Sequence, residues 1–261
     1  MIKVGVVGAA GKMGQQVVSE VLADKELALV CAVDKFYVGK EITPNVVIKD
    51  DIKEALKESN PDIIVDFTQP SVVFENIKIY MDLKVKSVIG TTGLKKEQIE
   101  EIEKISKKQN TGILIAPNFS IGAILMMKFA KEASKYFDNA EIIEFHHNQK
   151  KDAPSGTAIK TAQLMIENND NFKTGNCIET ETIIGSRGGE FKENNKGNIQ
   201  IHSVRMPGFV ASQEVIFGAD GQTLKIHHDT INRECYMSGV ILAVKHLFKN
   251  NTFIYGLENI L

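Results

Sequence analysis

The residues best suited to chemistry lie between Glu144 and Ala158, in the run EFHHNQKKDAPSGTA. His146 and His147 end a strand-like segment, and Lys150 follows in a short loop. An imidazole can exchange protons near neutral pH, and a lysine can supply both a positive charge and a proton. We therefore predict that His146 and Lys150 form a proton-transfer pair.

The same segment ends in a helix start that could hold an anion. Ser155 is a good N-cap, and the helical pattern begins at Gly156. The backbone N–H groups of Gly156 and Thr157 would then have no partner within the helix, and a carboxylate could bind them. The hydroxyl of Thr157 adds a further donor. The sequence therefore predicts a small anionic ligand at this turn.

Paired histidines also allow structural and metal-binding interpretations. A histidine pair at a strand end often serves packing or surface roles alone, and we expect this of His227 and His228. Zinc could use His146 and His147 with Asp152, but their spacing fits no common ligand pattern and no cysteine lies nearby. We predict no metal.

A second constellation, near the start of the sequence, is typical of dinucleotide binding. The strand-like run Ile2–Val7 leads into GAAGKMG, a GxxGxxG turn that opens a helix. Glycines let the backbone approach a pyrophosphate, which then lies at the positive end of the helix. We assign cofactor contacts in this turn to Gly8, Ala9, Ala10, Gly11, Lys12 and Met13.

The next strand ends in residues that bear on which cofactor binds. Asp34 can accept hydrogen bonds from both hydroxyls of the adenosine ribose, which favours NADH. The ammonium of Lys35 could neutralise the 2′-phosphate of NADPH, or it could be an ordinary surface charge. The sequence therefore predicts NADH or NADPH.

Three further loops fall where predicted strands end, and open α/β sheets bind their ligands at that edge. Their small and hydroxyl-bearing residues could admit the nicotinamide ribose and carboxamide, although each loop alone would be an ordinary turn. We assign further cofactor contacts to Phe67, Gly90, Thr91, Thr92, Ala116, Pro117, Asn118 and Phe119.

The elements that must position these loops alternate between strands and helices in the first half of the chain. Apolar runs typical of buried parallel strands are Ile2–Val7, Leu27–Val33, Asp62–Phe67, Ser87–Ile89 and Gly112–Ala116. Helical patterns occupy Gly11–Ala23, Ile52–Glu58, Ser71–Leu83 and Lys95–Gln109. This alternation predicts an α/β fold that starts with a Rossmann-type, doubly wound parallel sheet.

After Pro117 the pattern predicts an α+β domain with an open mixed or antiparallel sheet. Predicted helices are Ile121–Tyr136, Gly156–Glu167 and Glu234–Phe248. Predicted strands are Ala140–His147, Cys177–Ile184, Asn198–Val204, Phe209–Phe217 and Thr223–His228. The Gly-, Asn- and charge-rich segment Arg187–Gly197 predicts a mobile loop. Periodicity leaves open whether the last helix returns to the first domain.

Composition argues against several classes of partner. The 261 residues carry a net charge of −2 at pH 7, so no overall field favours nucleic acid or an anionic membrane. No stretch approaches the roughly 18 apolar residues of a membrane span. Cys31, Cys177 and Cys235 are widely spaced and form no CxxC pair. We therefore expect a cytoplasmic protein, since this cysteine usage suits a reducing compartment.

Four features together resemble the 4-hydroxy-tetrahydrodipicolinate reductase family, formerly called dihydrodipicolinate reductases. Three are the turn Gly8–Gly14, the run GTTG at Gly90–Gly93 and the run NFS at Asn118–Ser120. The fourth and most specific is HHNQKKDAPSGTA at His146–Ala158. The resemblance extends in order and length over essentially the whole chain.

The resemblance implies an NAD(P)H-dependent enzyme of the diaminopimelate route to lysine. Members transfer a hydride to 4-hydroxy-tetrahydrodipicolinate, with loss of water, to give tetrahydrodipicolinate. By this likeness, the catalytic residues are His146 and Lys150. The substrate, a small cyclic dicarboxylate, would contact His147, Ser155, Gly156 and Thr157.

The resemblance also implies a domain plan. Residues 1–117 plus about 230–261 would form the dinucleotide-binding domain, so that the last helix rejoins it. Residues 118–229 would bind substrate and build a homotetramer through their sheet, and a hinge would close over the substrate. Arg233 falls where members carry an arginine near the second hinge.

Some residues depart from the family pattern, and two other functions stay open. Gln69 stands where some members have arginine, and Pro117 replaces a common alanine, so cofactor preference is open. The run Gly208–Glu214 lacks a Gly-Glu-His sequence that is frequent in the family. The alternatives are another two-domain Rossmann reductase acting on an amino-acid-derived substrate, and an NAD(P)H sensor without turnover.

Overall fold

The structure is a computed structural model that describes residues 1–169, 171–172, 183, 185, 187–192 and 197–261. The chain divides into two compact units. The first comprises Met1–Ile121 and Arg233–Leu261, and the second comprises Gly122–Asn232. Over the described residues, none of the helices is both long enough and apolar enough to cross a membrane.

The regular elements are numbered in chain order. The strands are β1 (Ile2–Val7), β2 (Leu27–Val33), β3 (Glu41–Thr43), β4 (Val46–Lys49), β5 (Ile63–Asp66), β6 (Lys86–Ile89), β7 (Ile113–Ile115), β8 (Asn139–His146), β9 (Gly189–Lys192), β10 (Asn198–Arg205), β11 (Ala211–Ala219), β12 (Gln222–Thr230) and β13 (Phe253–Tyr255). The α-helices are α1 (Lys12–Ala23), α2 (Ile52–Ser59), α3 (Val73–Asp82), α4 (Lys96–Gln109), α5 (Ile121–Ala133), α6 (Gly156–Asn168) and α7 (Met237–Lys249). Short 3-10 helices occupy Arg233–Tyr236 and Leu257–Ile260.

An eight-stranded sheet forms the centre of the first unit, in the order β13-β7-β6-β5-β1-β2-β4-β3. Its strands are parallel except for the pair β3 and β4. Strand β1 pairs with β2 on one side and with β5 on the other, so the strand order reverses at β1. Ligands of open α/β sheets bind at such a reversal. The predicted Rossmann-type sheet is confirmed.

The inner strands β1, β2, β5, β6 and β7 are mostly buried on both faces, which explains their near-continuous apolar sequences. Residues of β5 and β7 are almost entirely inaccessible to solvent, as are Val4 and Val6 of β1. The short strands β3, β4 and β13 were not predicted. They lie at the two ends of the sheet, and their three or four residues carry too little periodicity to reveal them.

Helix α7 belongs to the first unit, together with Met1–Ile121. The ammonium of Lys86, in β6, donates to the carbonyls of Leu247 and Phe248, at 2.8 and 2.9 Å. A cation is favourable at this end of a helix, where carbonyl groups lack partners. At the other end, Gly239 lies directly against the backbone of Phe119.

The second unit contains a five-stranded mixed sheet in the order β12-β11-β8-β10-β9. Strands β8 and β10 are parallel, and the other neighbours are antiparallel. Helix α6 buries Ala158, Ala162 and Met165 in the same core as Phe217 of β11. The predicted α+β domain with an open mixed sheet is confirmed.

Three predictions for the later part of the chain need correction or lie outside the description. The loop prediction for Arg187–Gly197 is wrong at Gly189–Lys192, which pair with β10 as strand β9. Pairing with a distant strand supplies hydrogen bonds that the local sequence does not reveal. The predicted helix Glu234–Phe248 begins as a separate 3-10 turn. The predicted strand Cys177–Ile184 lies outside the described residues except for Ile183.

Gly239→Ala should destabilise the first unit. A Cβ at this position would lie 2.1 Å from the carbonyl oxygen of Phe119 and 2.8 Å from Leu257, so backbone must shift. We expect thermal or urea unfolding to show a loss of about 1–3 kcal/mol, despite the better helix propensity of alanine. The control is Ser238→Ala at the exposed preceding position. If Gly239→Ala and Ser238→Ala were equally stable, the close contact between Gly239 and the backbone of Phe119 would be contradicted.

Candidate active site

Close backbone contacts shape the glycine-rich turn between β1 and α1. Gly8 adopts φ +83°, and a Cβ there would lie 2.6 Å from the carbonyl oxygen of Phe67. A Cβ on Gly14 would lie 2.0 Å from the carbonyl oxygen of Gly8. The turn therefore requires glycine at both positions, for conformation at Gly8 and for space at both. Lys12 and Met13 form the first turn of α1.

The start of α1 and Asp34 together suit a dinucleotide. Gly11 is the N-cap and offers no side-chain oxygen, so the first-turn N–H groups have no side-chain cap. The carboxylate of Asp34 accepts the N–H of Ala10 at 2.9 Å and that of Phe36 at 3.0 Å. The structure thus brings Asp34 to the glycine-rich turn, while Lys35 is exposed beside it.

The three other predicted cofactor loops follow β5, β6 and β7 at the same edge of the sheet. A Cβ on Gly90 would lie 2.1 Å from the ring of Phe67, and the rings of Phe67 and Phe119 are 5.8 Å apart. Phe67, Gly90 and Phe119 therefore pack together. Ala116 and Thr91 are buried, whereas Thr92 and Pro117 are exposed and Asn118 is half-buried.

A buried carboxylate that the sequence analysis did not assign connects two of these loops. Asp66, the last residue of β5, is fully buried. Its Oδ1 accepts the backbone N–H of Thr68 at 2.8 Å and the hydroxyls of Thr68 and Thr91 at 2.7 and 3.3 Å. Its Oδ2 accepts the hydroxyl of Tyr80 at 2.7 Å and the amide of Asn76 at 3.1 Å.

The donors around Asp66 are neutral, so they fix the carboxylate through geometry. Burial, followed by the charge of Asp66, raises the pKa of Tyr80 and keeps its hydroxyl protonated as a donor. In the sequence, this site could have been recognised only from the charged Asp66 near the end of the apolar run Asp62–Phe67. Its function in joining two loops depends on contacts that only the fold reveals.

In the second unit, β8 ends at His146, and the loop that follows carries Lys150. His146 is half-buried, whereas His147 is exposed and its Nδ1 accepts the N–H of Gln149 at 3.2 Å. The ammonium of Lys150 lies 2.7 Å from both carboxylate oxygens of Asp152. The hydrogen bond from Lys150 lowers the pKa of Asp152. Asp152 thereby holds Lys150 in one orientation.

Ser155 is the N-cap of α6, as predicted, and its hydroxyl accepts the N–H of Ala158 at 3.2 Å. The N–H groups of Gly156 and Thr157 belong to the first turn, which has no intrahelical acceptor for them. A Cβ on Gly156 would meet nothing within 4 Å. The start of α6 is therefore open to a ligand at Gly156.

A second unassigned carboxylate, Glu144 in β8, lies behind this segment. It is fully buried and receives both terminal nitrogens of Arg205, at 2.7 and 2.8 Å. It also contacts Nδ1 of His146 and accepts the N–H of Ser155 at 3.2 Å. Burial raises the pKa of Glu144, but hydrogen bonds from His146, Arg205 and Ser203 outweigh this effect and lower it to about 2.

Two models of one protein family together match nearly the whole chain. Residues 2–119 match the family model described as "Dihydrodipicolinate reductase, N-terminus", and residues 122–261 match "Dihydrodipicolinate reductase, C-terminus". The chain belongs to the dihydrodipicolinate reductase family. The prediction of an NAD(P)H-dependent oxidoreductase of this family is confirmed. In the described part of the chain, no cluster of three or more His, Cys, Asp or Glu residues could hold a metal ion.

Individual members of the family match this chain over all or nearly all of its length. The chain is 48% identical to the 4-hydroxy-tetrahydrodipicolinate reductase of Listeria innocua, with 100% of both chains covered. It is 45% identical to that of Syntrophomonas wolfei, with 99% of this chain and 98% of the relative covered.

Solved structures agree on the fold. A dipicolinate-bound dihydrodipicolinate reductase from Paenisporosarcina sp. TG-14 is 40% identical, with a TM-score of 0.91 and 100% of both chains covered. An amine dehydrogenase from Mycobacterium smegmatis has a TM-score of 0.68 at 13% identity, with 98% of this chain and 95% of that chain covered. The second likeness shows the fold alone.

Asp66→Asn should weaken binding of the nicotinamide cofactor. An amide cannot accept all five hydrogen bonds, and its NH2 group would face a donor, so the loops of Thr68 and Thr91 lose their fixed geometry. We expect KM for the cofactor to rise about tenfold, equivalent to about 1.4 kcal/mol. Steady-state kinetics at saturating substrate measures this.

Tyr80→Phe is the matched control, because it removes only a donor on the helix side of the same carboxylate. It should lower the free energy of unfolding by about 1–2 kcal/mol and leave the cofactor KM within about twofold. If both substitutions changed KM alike, Asp66 would act through general stability and not through the loops.

Proposed function

We infer that this chain reduces 4-hydroxy-tetrahydrodipicolinate to tetrahydrodipicolinate with NADH or NADPH and with loss of water. This reaction belongs to the diaminopimelate pathway of lysine biosynthesis. The observation that carries the inference is the His146–Thr157 segment, which joins proton-transfer groups to an open helix N-terminus. Full-length similarity to enzymes named for this reaction supports it.

The first turn of α6 would bind one carboxylate of the cyclic dicarboxylate substrate. The N–H groups of Gly156 and Thr157 point from a positive helix end, and Ser155 fixes that end as its N-cap. Glycine at 156 leaves room for the ligand, because a side chain would project into the open space there. His147, which is exposed at the end of β8, would contribute a further substrate contact.

The first unit would hold the cofactor, which supplies the hydride when bound. Its pyrophosphate would lie against the uncapped start of α1 and the turn Gly8–Met13, where glycine at positions 8 and 14 lets the backbone pack closely. Asp34 would bind the adenosine ribose, with Lys35 beside it. The nicotinamide side would contact the remaining loop residues, Phe67, Gly90, Thr91, Thr92, Ala116, Pro117, Asn118 and Phe119.

His146 and Lys150 would stabilise the negative charge that develops on the substrate and would supply the proton that neutralises it. Hydride addition leaves negative charge on the conjugated imine system of the substrate, and nearby cations and donors stabilise such charge. Lys150 has three N–H donors, of which Asp152 engages two, so one remains for the substrate. Loss of the 4-hydroxyl as water would leave the conjugated imine that accepts the hydride, and His146 or Lys150 would protonate the resulting anion to give tetrahydrodipicolinate.

A direct assay follows the loss of nicotinamide absorbance with freshly generated 4-hydroxy-tetrahydrodipicolinate, run with NADH and with NADPH. We expect oxidation of at least one cofactor. Lys150→Ala should lower kcat about 100-fold or more, the usual contribution of a general acid, while Lys151→Ala at the exposed neighbouring position should not. Failure of the wild-type protein to oxidise either cofactor would overturn the proposed reaction.

We also propose that the second unit assembles a homotetramer in the cytoplasm. Support for assembly comes from β12, an edge strand whose side chains are exposed along most of its length, and such edges are normally covered. A reduced thiol at the buried Cys31 suits a reducing compartment. Light scattering after size-exclusion chromatography should give four times the mass of one chain, whereas the mass of a single chain would refute assembly.

A further inference from the structure

We propose that Glu144 is a positioning residue for the reaction, which fixes the tautomer of His146 and the start of α6 through one buried carboxylate. This proposal rests on the proposed function for its kinetic consequences. Its structural part, the protonation of the His146 ring, concerns the free protein and is independent of the substrate.

Glu144 occupies the centre of the second unit. It lies on β8, the middle strand of the five-stranded sheet, opposite Ser203 of β10 and Gln213 of β11. A carboxylate without access to water at such a position is costly unless donors surround it. Arg205 supplies two parallel hydrogen bonds from the neighbouring strand, which is the strongest geometry for this pair.

The carboxylate also determines which nitrogen of His146 is free. Because Glu144 is an anion that only accepts hydrogen bonds, its contact with Nδ1 requires a proton on that nitrogen. In the neutral ring the lone pair then resides on Nε2. His146 can therefore take up or deliver a proton only through Nε2, and the charged ring that results is stabilised by the carboxylate behind it.

The same carboxylate reaches the elements that would hold the substrate. Its Oε1 accepts the N–H of Ser155, the N-cap of the helix that begins at Gly156. Arg205 additionally donates to the carbonyl of Asp152, the residue that pairs with Lys150. Glu144 and its arginine thus connect three parts of the segment: the imidazole, the lysine loop and the helix start.

Glu144 does not itself exchange protons with a substrate. Its side chain has no exposure to solvent, and both oxygens are occupied by His146, Arg205 and Ser155. Its pKa of about 2 keeps it charged at neutral pH. It therefore acts through the groups it orients.

The chain offers a closely matched control on the same strand. Glu141 also contacts an arginine and a histidine, with Arg187 at 2.5 Å and Nε2 of His202 at 2.8 Å. It lies three positions before Glu144, on the opposite face of β8, because alternate residues of a strand point to opposite faces. Glu141→Gln therefore removes the same kind of ion pair away from the catalytic segment.

The first test is the histidine tautomer in the ligand-free protein, measured by long-range 1H–15N NMR at a pH where the ring is neutral. His146→Gln identifies the signal. We expect protonated Nδ1 and unprotonated Nε2 in the wild type and in Glu141→Gln. In Glu144→Gln the amide NH2 can donate to Nδ1, so the tautomer should invert. Protonated Nε2 in the wild type would overturn the proposal even if no variant folded.

The second test is kinetic. Glu144→Gln should lower kcat about 100-fold, because the wrong nitrogen then carries the proton, and should raise the KM for substrate several-fold through Ser155. Glu141→Gln should keep both constants within about twofold. A Glu144→Gln enzyme with normal kcat would overturn the role, whereas a wild type without activity would refute the reaction and leave the tautomer result standing.

Discussion

Burying a carboxylate is unfavourable unless hydrogen-bond donors replace its lost water, and Glu144 at the centre of the second sheet meets this condition in full. Its donors are the side chains of Arg205, His146 and Ser203 and the backbone of Ser155. These donors lie on β8, on β10 and at the start of α6, so satisfying one anion requires all three elements to take defined positions. The positions of His146, Ser155 and the start of α6 depend on this requirement.

The first unit uses the same physical constraint with different partners. Asp66 is also fully buried at the end of a strand, but neutral hydroxyl, amide and backbone groups surround it. The buried carboxylate is stabilised by the several neutral donors that converge on it. The consequence is that the loops of Thr68 and Thr91 take fixed positions at the edge where the cofactor would bind.

Steric contacts at glycines supply the other constraint in the first unit. The turn that contains Gly8 lies against the loop of Phe67, and α1 approaches so closely that Gly14 touches Gly8. Helix α7 makes a similar close contact, in which Gly239 lies against the backbone of Phe119. These contacts fix backbone positions without side chains, and so leave space for a dinucleotide beside the turn.

The sequence by itself determined the fold class and most helices and strands, because buried parallel strands and amphipathic helices leave strong apolar periods. It indicated the family through the resemblance of its motifs, above all His146–Ala158. It also located Ser155 as an N-cap, since capping is a local interaction. It predicted a loop where Gly189–Lys192 form β9, and it assigned no function to Asp66, Glu144 or Arg205. Those outcomes depend on partners distant in sequence.

Only the tertiary structure decided how the charged groups pair. Glu144 and Arg205 are 61 residues apart, yet adjacent strands bring the carboxylate and the guanidinium together. Asp66 meets Thr91 across 25 residues in the same way. Local patterns reveal which residues are apolar and where helices begin, whereas the partner of a buried charge is set by strand order and register, which no local pattern encodes.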